Sequence, residues 1–358
     1  MAAVMSPIRL LSLAGDGIGP EIMAATLAVL DALRPSMGRS VEVTEMEIGF
    51  AALAAEGTTL PPAVLDTARA ADGVLLGPVS HNEYPAREAG GVNPSGELRK
   101  ALDLHANIRP ARTWPGIDAP LGTPLDLIVV RENLEGFYAD RNMHLGPGEV
   151  MPVPGVALAL RRITEAASRK IAETAFAIAA ERPKQRVAAV HKANVMRVTD
   201  GLFLDTVREV AAQFPQIAYE EILVDAAAAH LVRNPARFDV LVTTNMFGDI
   251  LSDLASELAG GLGLAASLNA GLHHTAAQAQ HGSAPDIAGQ DRANPVSMIL
   301  SLGMLLRHLG ERTAADTLDA ALGAALARPP TRTADLGGAL GTRAFADHLI
   351  GILSGGQS

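Results

Sequence analysis

FDVLVTTNMFGDILSDLASEL, residues 238–258, passes from an apolar strand through a short polar cluster into a helix-compatible run, and that order decides the fold. Asp249 and Asp253 stand four residues apart in the helical part, which turns both carboxylates to one face, one turn apart. Like charges at this spacing repel by about a few tenths of a kcal/mol on an exposed helix and by more when partly buried. Two accounts fit the pair: acids near a helix N-terminus facing solvent and the dipole, or acids facing a cation. With no cysteine in the chain, hard oxygen ligands of this kind suit Mg²⁺ or Mn²⁺ rather than a thiolate zinc site.

The strand-then-polar order recurs at LDLIVVREN (125–133), RVAAVHKAN (186–194) and AYEEILVDA (218–226). Nearer the N-terminus, IRLLSLAG (8–15), a periodic segment from Ile18 to Leu33, VEVTEMEIG (41–49) and ADGVLLGPV (71–79) alternate strand and helix. This rhythm predicts an α/β fold with a mainly parallel sheet covered by helices. Ligands of open α/β sheets bind beyond the carboxyl ends of strands, so the polar clusters are expected to converge. The Gly- and Pro-rich stretch 142–155 is either a surface loop or a hairpin arm that clasps another subunit. ANPVSMILSLGMLLRHLG (293–310) is expected to be a buried helix.

A chain of 358 residues with 48% hydrophobic content can fill the cores of two ordinary domains. Only 3% of residues are aromatic, so those cores must be built from Leu, Val, Ile and Ala. A net charge of −10 and the lack of a basic block argue against nucleic acid as a partner, leaving small molecules or a second copy of the chain. Without cysteine, disulfides and Cys nucleophiles are excluded, which fits a reducing compartment. The first apolar stretch is short and enters a Gly-rich turn, so it reads as a buried strand rather than a signal peptide. With no membrane span in sight, a cytoplasmic location is expected.

Several clusters carry chemistry. GDGIGPE, residues 15–21, lacks the spacing of the pyrophosphate fingerprint and is accounted for as a tight strand-to-helix turn with Pro20 in the first helical turn. Arg99, Arg109, Arg112 and Arg131 offer bidentate partners for a di- or tricarboxylic acid, with surface salt bridging as the plainer account. Tyr138, one of only three tyrosines in the chain, follows Arg131 by seven residues, with core packing as the plainer account. Lys192 directly follows a strand, and a lysine partly desolvated near a metal becomes available as a base, whereas an exposed one does not. HGSAPDIAG (281–289) combines small residues for close backbone approach with Asp286, an acid able to grip a ribose diol, or else is only a turn.

Taken together, GDGIGPE, LxxxxDLxANIRP, VRENxEGxY, HKANV, NxFGDILSDL and HGSAPDIAG occur in the order found in the β-decarboxylating dehydrogenases. The chain resembles that family, which comprises isocitrate, 3-isopropylmalate, homoisocitrate and tartrate/D-malate dehydrogenases, nearly end to end. The resemblance implies an isopropylmalate dehydrogenase-like two-domain α/β fold, not a Rossmann fold. Its large cofactor-binding domain would comprise residues 1–104 and 260–358. Residues 105–259 would form a small domain with the dimer interface and an arm near 142–155. It further implies substrate binding by Arg99, Arg109 and Arg131, catalysis by Tyr138 and Lys192, and metal binding by Asp225, Asp249 and Asp253. In the family the lysine and one aspartate enter from the neighbouring subunit, which implies a homodimer with two shared sites. The adenosine loop falls on His281, Gly282, Ser283, Ala284, Pro285, Asp286 and Ile287, with Asn294 beyond it and Asn194 near the nicotinamide. Asp286 followed by Ile287 matches the NAD pattern, since an acid there would repel a 2′-phosphate.

Three positions depart from the family pattern. Gln278 stands three residues before His281, where a glutamate is usual, and this predicts an altered cofactor affinity. Leu134 replaces the usual Thr or Ser in the VREN motif, which changes the polarity beside the substrate. The specificity loop HNEYPAREAGGVNPSGELRK (81–100) matches no well-known subfamily. Isopropylmalate enzymes place leucines ahead of the loop arginine, and isocitrate enzymes place Ser six and Asn four residues ahead of it. Here the two types are swapped, with Asn93 and Ser95 before Arg99. Polar groups left unpaired against an isopropyl group cost about 1–3 kcal/mol each, so a small or polar C3 substituent is expected. 3-Isopropylmalate is the alternative if Val92 and Leu98 face the pocket, and Glu97 pointing inward would oppose a large anionic substituent. A non-catalytic regulatory relative is a further alternative, although such chains lose a metal aspartate, the lysine or the tyrosine.

Overall fold

The computed structural model describes residues 6–138 and 143–355; position 142, the first of the Gly/Pro-rich segment, lies outside the described residues, as do 1–5, 139–141 and 356–358. Ten strands make one sheet: β1 (Ile8–Leu13), β2 (Val41–Met46), β3 (Gly73–Leu76), β4 (Ala106–Arg112), β5 (Asp126–Glu132), β8 (Arg186–His191), β9 (Ala218–Leu223), β10 (Val240–Thr243), β11 (Ala266–Ala270) and β12 (Thr275–Ala279). Their spatial order is β2-β1-β3-β12-β11-β4-β5-β10-β8-β9. Six of the nine pairings are parallel and three, around β11 and β4, are antiparallel. Two parallel blocks therefore run in opposite senses and meet at β11 and β4, which brings the strand ends of one block toward the loops of the other. The inner strands β1, β3, β8 and β10 are Val-, Leu- and Ala-rich and nearly all buried, as parallel strands covered by helices must be, while the edge strands β2 and β9 carry exposed or half-exposed glutamates.

The helices follow from apolar periodicity with recognisable ends. The helix α1 (Gly19–Leu33) starts at the Gly-Pro turn and buries Ile22, Met23, Val29, Leu30 and Leu33. It packs with α9 (Val296–His308), α10 (Arg312–Leu326) and α11 (Thr342–Leu353) around one core. Ten of the thirteen residues of α9 are buried, as its uniformly apolar sequence requires. On the other block, α5 (Glu165–Glu181), capped by the Thr164 hydroxyl, and α6 (Thr199–Ala211) cover one face. The opposite face is covered by α7 (Val224–Arg233) and α8 (Asn245–Ala259).

The remaining short helices are α2 (Gly49–Glu56), α3 (Pro62–Ala70) and α4 (Pro94–Ala101). The Asn93 side chain caps α4 by accepting from the Gly96 amide at 3.1 Å. In the Gly/Pro-rich segment the structure has a hairpin, β6 (Glu149–Val153) with β7 (Val156–Ala159), whose turn holds Pro154 and Gly155 at φ +83°. Val150, Met151, Val153, Val156 and Leu158 are all exposed on it. A two-stranded ribbon this exposed is marginal in water on its own. Among the described residues, no helix is long and apolar enough to cross a membrane.

Candidate active site

A cleft of about 540 Å³ opens where the two blocks meet. Arg99, Arg109, Arg131, Tyr138 and Asp249 line it, together with Asn93 and Ser95 from the start of α4. Arg109 comes from β4 and Arg131 from the end of β5, antiparallel neighbours in the sheet, while Asp249 lies in the first turns of α8. Close approach of α8 to β5 depends on Gly248, where a Cβ would lie 2.7 Å from Cβ and Cγ of Arg131.

The acids and bases of this cleft close on one another. Arg109 Nη1 donates to Asp249 Oδ1 at 3.0 Å, to the Ser252 hydroxyl at 2.8 Å and to Asp253 Oδ1 at 3.4 Å. Its Nε donates to Asn107 Oδ1. Arg131 grips Asn245 Oδ1 through Nε and Nη2, donates to Asp249 through Nη1, and reaches the Tyr138 hydroxyl at 2.7 Å. That hydroxyl in turn donates to Asp249 Oδ2 at 3.1 Å. The pair Asp249 and Asp253 thus has its positive partner in Arg109, within the chain itself.

Burial, with the Arg131 charge nearby, pulls the Arg109 guanidinium down to about 10 despite its two aspartates. Burial works against the Asp249 carboxylate, but Arg131 and Arg109 outweigh it and hold it below the usual carboxylate range. Both arginines are almost fully buried while the side chains of Asp249 and Asp253 are 40% and 53% exposed, so both carboxylates reach solvent and Asp249 lines the cleft.

The donor set suits a hard divalent cation, because Asp249 lines the cleft and Asp253, one helical turn on, is part-exposed beside it, with no cysteine thiolate in the chain. Among the described residues of one chain, no group of three His, Cys, Asp or Glu side chains is placed to hold a metal. Asp225, at the start of α7, bonds the Lys192 ammonium instead, which holds its carboxyl below the usual range. Lys192 and Asp225 sit beyond the ends of β8 and β9, one and two strands past β10, and line none of this cleft. Asn194 is exposed nearby.

At the far rim the loop after β12 joins the cleft to a second pocket of about 250 Å³. His281 and Gly282 line both, and Ala284, Ile287 and Asn294 line the second. Asn294 Nδ2 donates to Asp335 at 2.9 Å, and its Oδ1 accepts from the Val296 amide. His281 Nε2 is buried without a hydrogen-bond partner among the described residues and Gly282 leaves open space where a Cβ would stand, so the pocket has room for a ligand that offers His281 a polar group. Burial lowers the His281 imidazole from its ordinary value. Pro285 and Asp286 are exposed at the rim.

Ser283 holds the loop rather than the pocket, since its carbonyl accepts from the Ile18 amide and its hydroxyl meets Ser80 at 2.8 Å. A Cβ at Gly17 would strike the Ser283 carbonyl oxygen at 2.0 Å, so the GDGIGPE turn is the seat of this loop. Three residues of the region had no sequence signal of their own. Asp16 is buried and accepts from the Phe50 and Ser80 amides and the Tyr84 hydroxyl, tying β1 to the specificity loop. Gln280 donates to Asp253 at 2.7 Å, linking the adenosine-type loop to α8. Asn245 is buried beneath Arg131.

A cleft walled by arginines, with the Asp249 carboxylate among them and a second pocket at its rim, can take a small polyanion beside a second ligand. The sequence profile described as Isocitrate/isopropylmalate dehydrogenase matches residues 9–349. An isocitrate/homoisocitrate dehydrogenase of Thermus thermophilus is 42% identical over 347 residues, 96% of this chain and 98% of that protein. The 3-isopropylmalate dehydrogenase of Archaeoglobus fulgidus is 41% identical, over 96% of this chain and 99% of its own length. The crystal structure of isocitrate dehydrogenase from Methylococcus capsulatus superposes with a TM-score of 0.87 at 38% identity, covering 97% of this chain and 99% of that one. The chain belongs to the isocitrate/isopropylmalate dehydrogenase family. It is an enzyme of that class of metal- and NAD-dependent decarboxylating dehydrogenases acting on a CH–OH group.

Proposed function

We propose that the protein converts a (2R)-malate-type 2-hydroxy acid with a small or polar group at C3 into a 2-oxo acid, CO₂ and NADH, using NAD⁺ and Mg²⁺ or Mn²⁺. The observation that carries this reading is the meeting of three arginines, Tyr138 and Asp249 in one cleft with the His281 loop at its rim. Arg109 and Arg131 would hold the two malate carboxylates, aided by Arg99, in exchange for part of their bonding to Asp249. Asp249 and Asp253, joined by Asp225 from a second copy of the chain, would hold the metal. A metal held there would supply polarisation of the C2 oxygen, and bound NAD⁺ would supply the hydride acceptor. Lys192 Nζ of that second copy, through water, takes the C2 hydroxyl proton. Tyr138 Oη delivers a proton to C3 once CO₂ has left, and the Arg131 hydrogen bond steadies the phenolate that remains.

A homodimer belongs to this reading, because the exposed apolar hairpin and the exposed Val195 and Val198 beside Lys192 give a second copy somewhere to bind. So does the division into a cofactor domain of residues 1–104 and 260–358 and a smaller one of 105–259. The lack of cysteine is consistent with a cytoplasmic setting.

A polar C3 group is favoured by where the loop side chains lie. Leu98 is fully buried with Leu11, Leu13 and Leu76, and Val92 packs against the same cluster, so neither apolar side chain lines the cleft. Asn93 and Ser95 do. The test is a kcat/KM panel over D-malate, tartrate, isocitrate, homoisocitrate and 3-isopropylmalate with NAD⁺ and Mn²⁺. Activity on none of them would end the enzyme reading for these substrates. A preference above tenfold for 3-isopropylmalate would overturn the polar pocket alone.

NAD⁺ is proposed over NADP⁺ because Asp286 stands at the rim of the adenosine-type pocket and makes no side-chain hydrogen bond to the described residues. Its charge would meet a 2′-phosphate with repulsion and a ribose diol with two hydrogen bonds. We expect kcat/KM to favour NAD⁺ by about tenfold or more. Arg292 lines the same pocket, and a measured preference for NADP⁺ would give it control of the adenosine end instead.

A further inference from the structure

Gln278 sits on β12 with its side chain in the cleft, only 8% exposed. Its Oε1 accepts from the Ser95 hydroxyl and from Arg99 Nη2, both at 3.2 Å. A guanidinium has only donors, so Arg99 can meet only the oxygen of the amide, and the orientation of Gln278 is thereby set. The Nε2 group is left without a hydrogen-bond partner among the described residues. Asn93, in the same wall, repeats the arrangement: its Oδ1 accepts from the Gly96 amide in capping α4, and its Nδ2 has no protein partner among the described residues. Two amides at one end of the cleft therefore both spend their oxygens on the protein and present nitrogen, next to a guanidinium.

The carboxylate that could have filled this end is drawn away. Glu97 is held by Arg87 at 2.5 Å and Lys100 at 2.9 Å and does not line the cleft. Gln278 itself is an amide, so the acceptor it offers Arg99 brings no negative charge. A nicotinamide carboxamide, which needs a donor and an acceptor, is poorly matched to such a wall, whereas a carboxylate accepts on every lone pair.

We propose that Gln278 is a specificity-determining residue, donating from Nε2 to a carboxylate carried by the C3 substituent of the substrate. This rests on the function proposed above and narrows it to acids whose substituent ends in a carboxylate, as that of isocitrate does and that of D-malate does not. Replacing the amide by a carboxylate reverses both contributions: the donor is lost, and a charge appears that pairs with Arg99 and repels the substrate group.

The experiment measures kcat/KM for isocitrate and for D-malate with wild type, Gln278→Glu and Gln278→Leu, with the KM for NAD⁺ followed throughout. The isocitrate to D-malate ratio is expected to fall at least about tenfold in Gln278→Glu, through the isocitrate KM, and by about threefold in Gln278→Leu, which loses the donor without adding charge. Equal losses on both acids, a loss falling on the KM for NAD⁺, or a wild type that prefers D-malate would each overturn the proposal. Thermal unfolding checks that each variant folds, and Gln278→Leu decides alone if the glutamate variant does not. If the wild type oxidises neither acid, the proposed reaction fails while Gln278 remains testable by calorimetric titration of isocitrate into the Mn²⁺-loaded proteins. Binding at least about tenfold weaker in Gln278→Glu supports its role; equal binding, or none to wild type, refutes it.

Discussion

Asp249→Asn and Asp253→Asn are each expected to lower kcat/KM by at least about a hundredfold, about 2.7 kcal/mol of transition-state stabilisation, because each removes one anionic ligand from the proposed metal site. The two should part company in stability. Relief of repulsion between the acids would leave both variants as stable as the wild type, but the contacts of Asp249 point the other way. Its carboxylate is shared by Arg109 and Arg131, whose guanidinium groups are nearly fully buried. Removing that charge leaves two buried cations poorly compensated, at a cost of about 1–2 kcal/mol after allowing for a carboxylate that is 40% exposed. Asp253 has a single long contact with Arg109, at 3.4 Å, besides accepting from Gln280, so its loss should cost within about 0.5 kcal/mol. Thermal unfolding with and without Mn²⁺ separates the two effects. The wild type should gain stability from the ion, and both variants should lose most of that gain. Near-normal rates with saturating Mn²⁺ would remove these residues from metal binding.

That difference between Asp249 and Asp253 marks the limit of what spacing conveys. Four-residue spacing places two acids on one helix face, but the arginine that faces them arrives from β4, some 140 positions earlier in the chain. Local signals did carry far. The strands around VREN, HKAN and VTTN end in their polar clusters, and Arg99, Arg109, Arg131, Tyr138 and Asp249 meet in one cleft. Composition could not distinguish a Gly/Pro-rich loop from a hairpin at 149–159, because the same residues serve both, and pairing there needs only short extended runs on either side of Pro154. Nor could it give the direction of Glu97, which depends on Arg87 and Lys100, or the burial of Leu98, which depends on β1 and β3. The GDGIGPE turn was legible as a turn. Its use as the seat of Ser283 was not, because that contact joins residues more than 260 positions apart.

Lys192→Met and Tyr138→Phe are each expected to lower kcat by about 10²–10⁴-fold, the range of a lost proton-transfer group, with substrate binding still measurable. The more decisive result concerns the two together. Within one chain the Lys192 ammonium bonds Asp225 and lies outside the cleft that holds Tyr138, so one chain does not assemble the complete set. If each site takes Tyr138 from one chain and Lys192 from the other, a mixed dimer of the two variants contains one intact site and one that is doubly impaired. Random pairing on co-expression makes half of the dimers mixed, so the preparation should recover about a quarter of wild-type activity from two nearly inactive parents. A site built within a single chain allows no such recovery, because every site then lacks one of the two groups. A mixture as inactive as its parents, with mixed dimers verified by mass, would return Lys192 to the role of a surface ion pair. Recovery would make dimerisation a condition of the chemistry, since the β6–β7 hairpin and the exposed valines beside Lys192 would then be what brings the base to the acid.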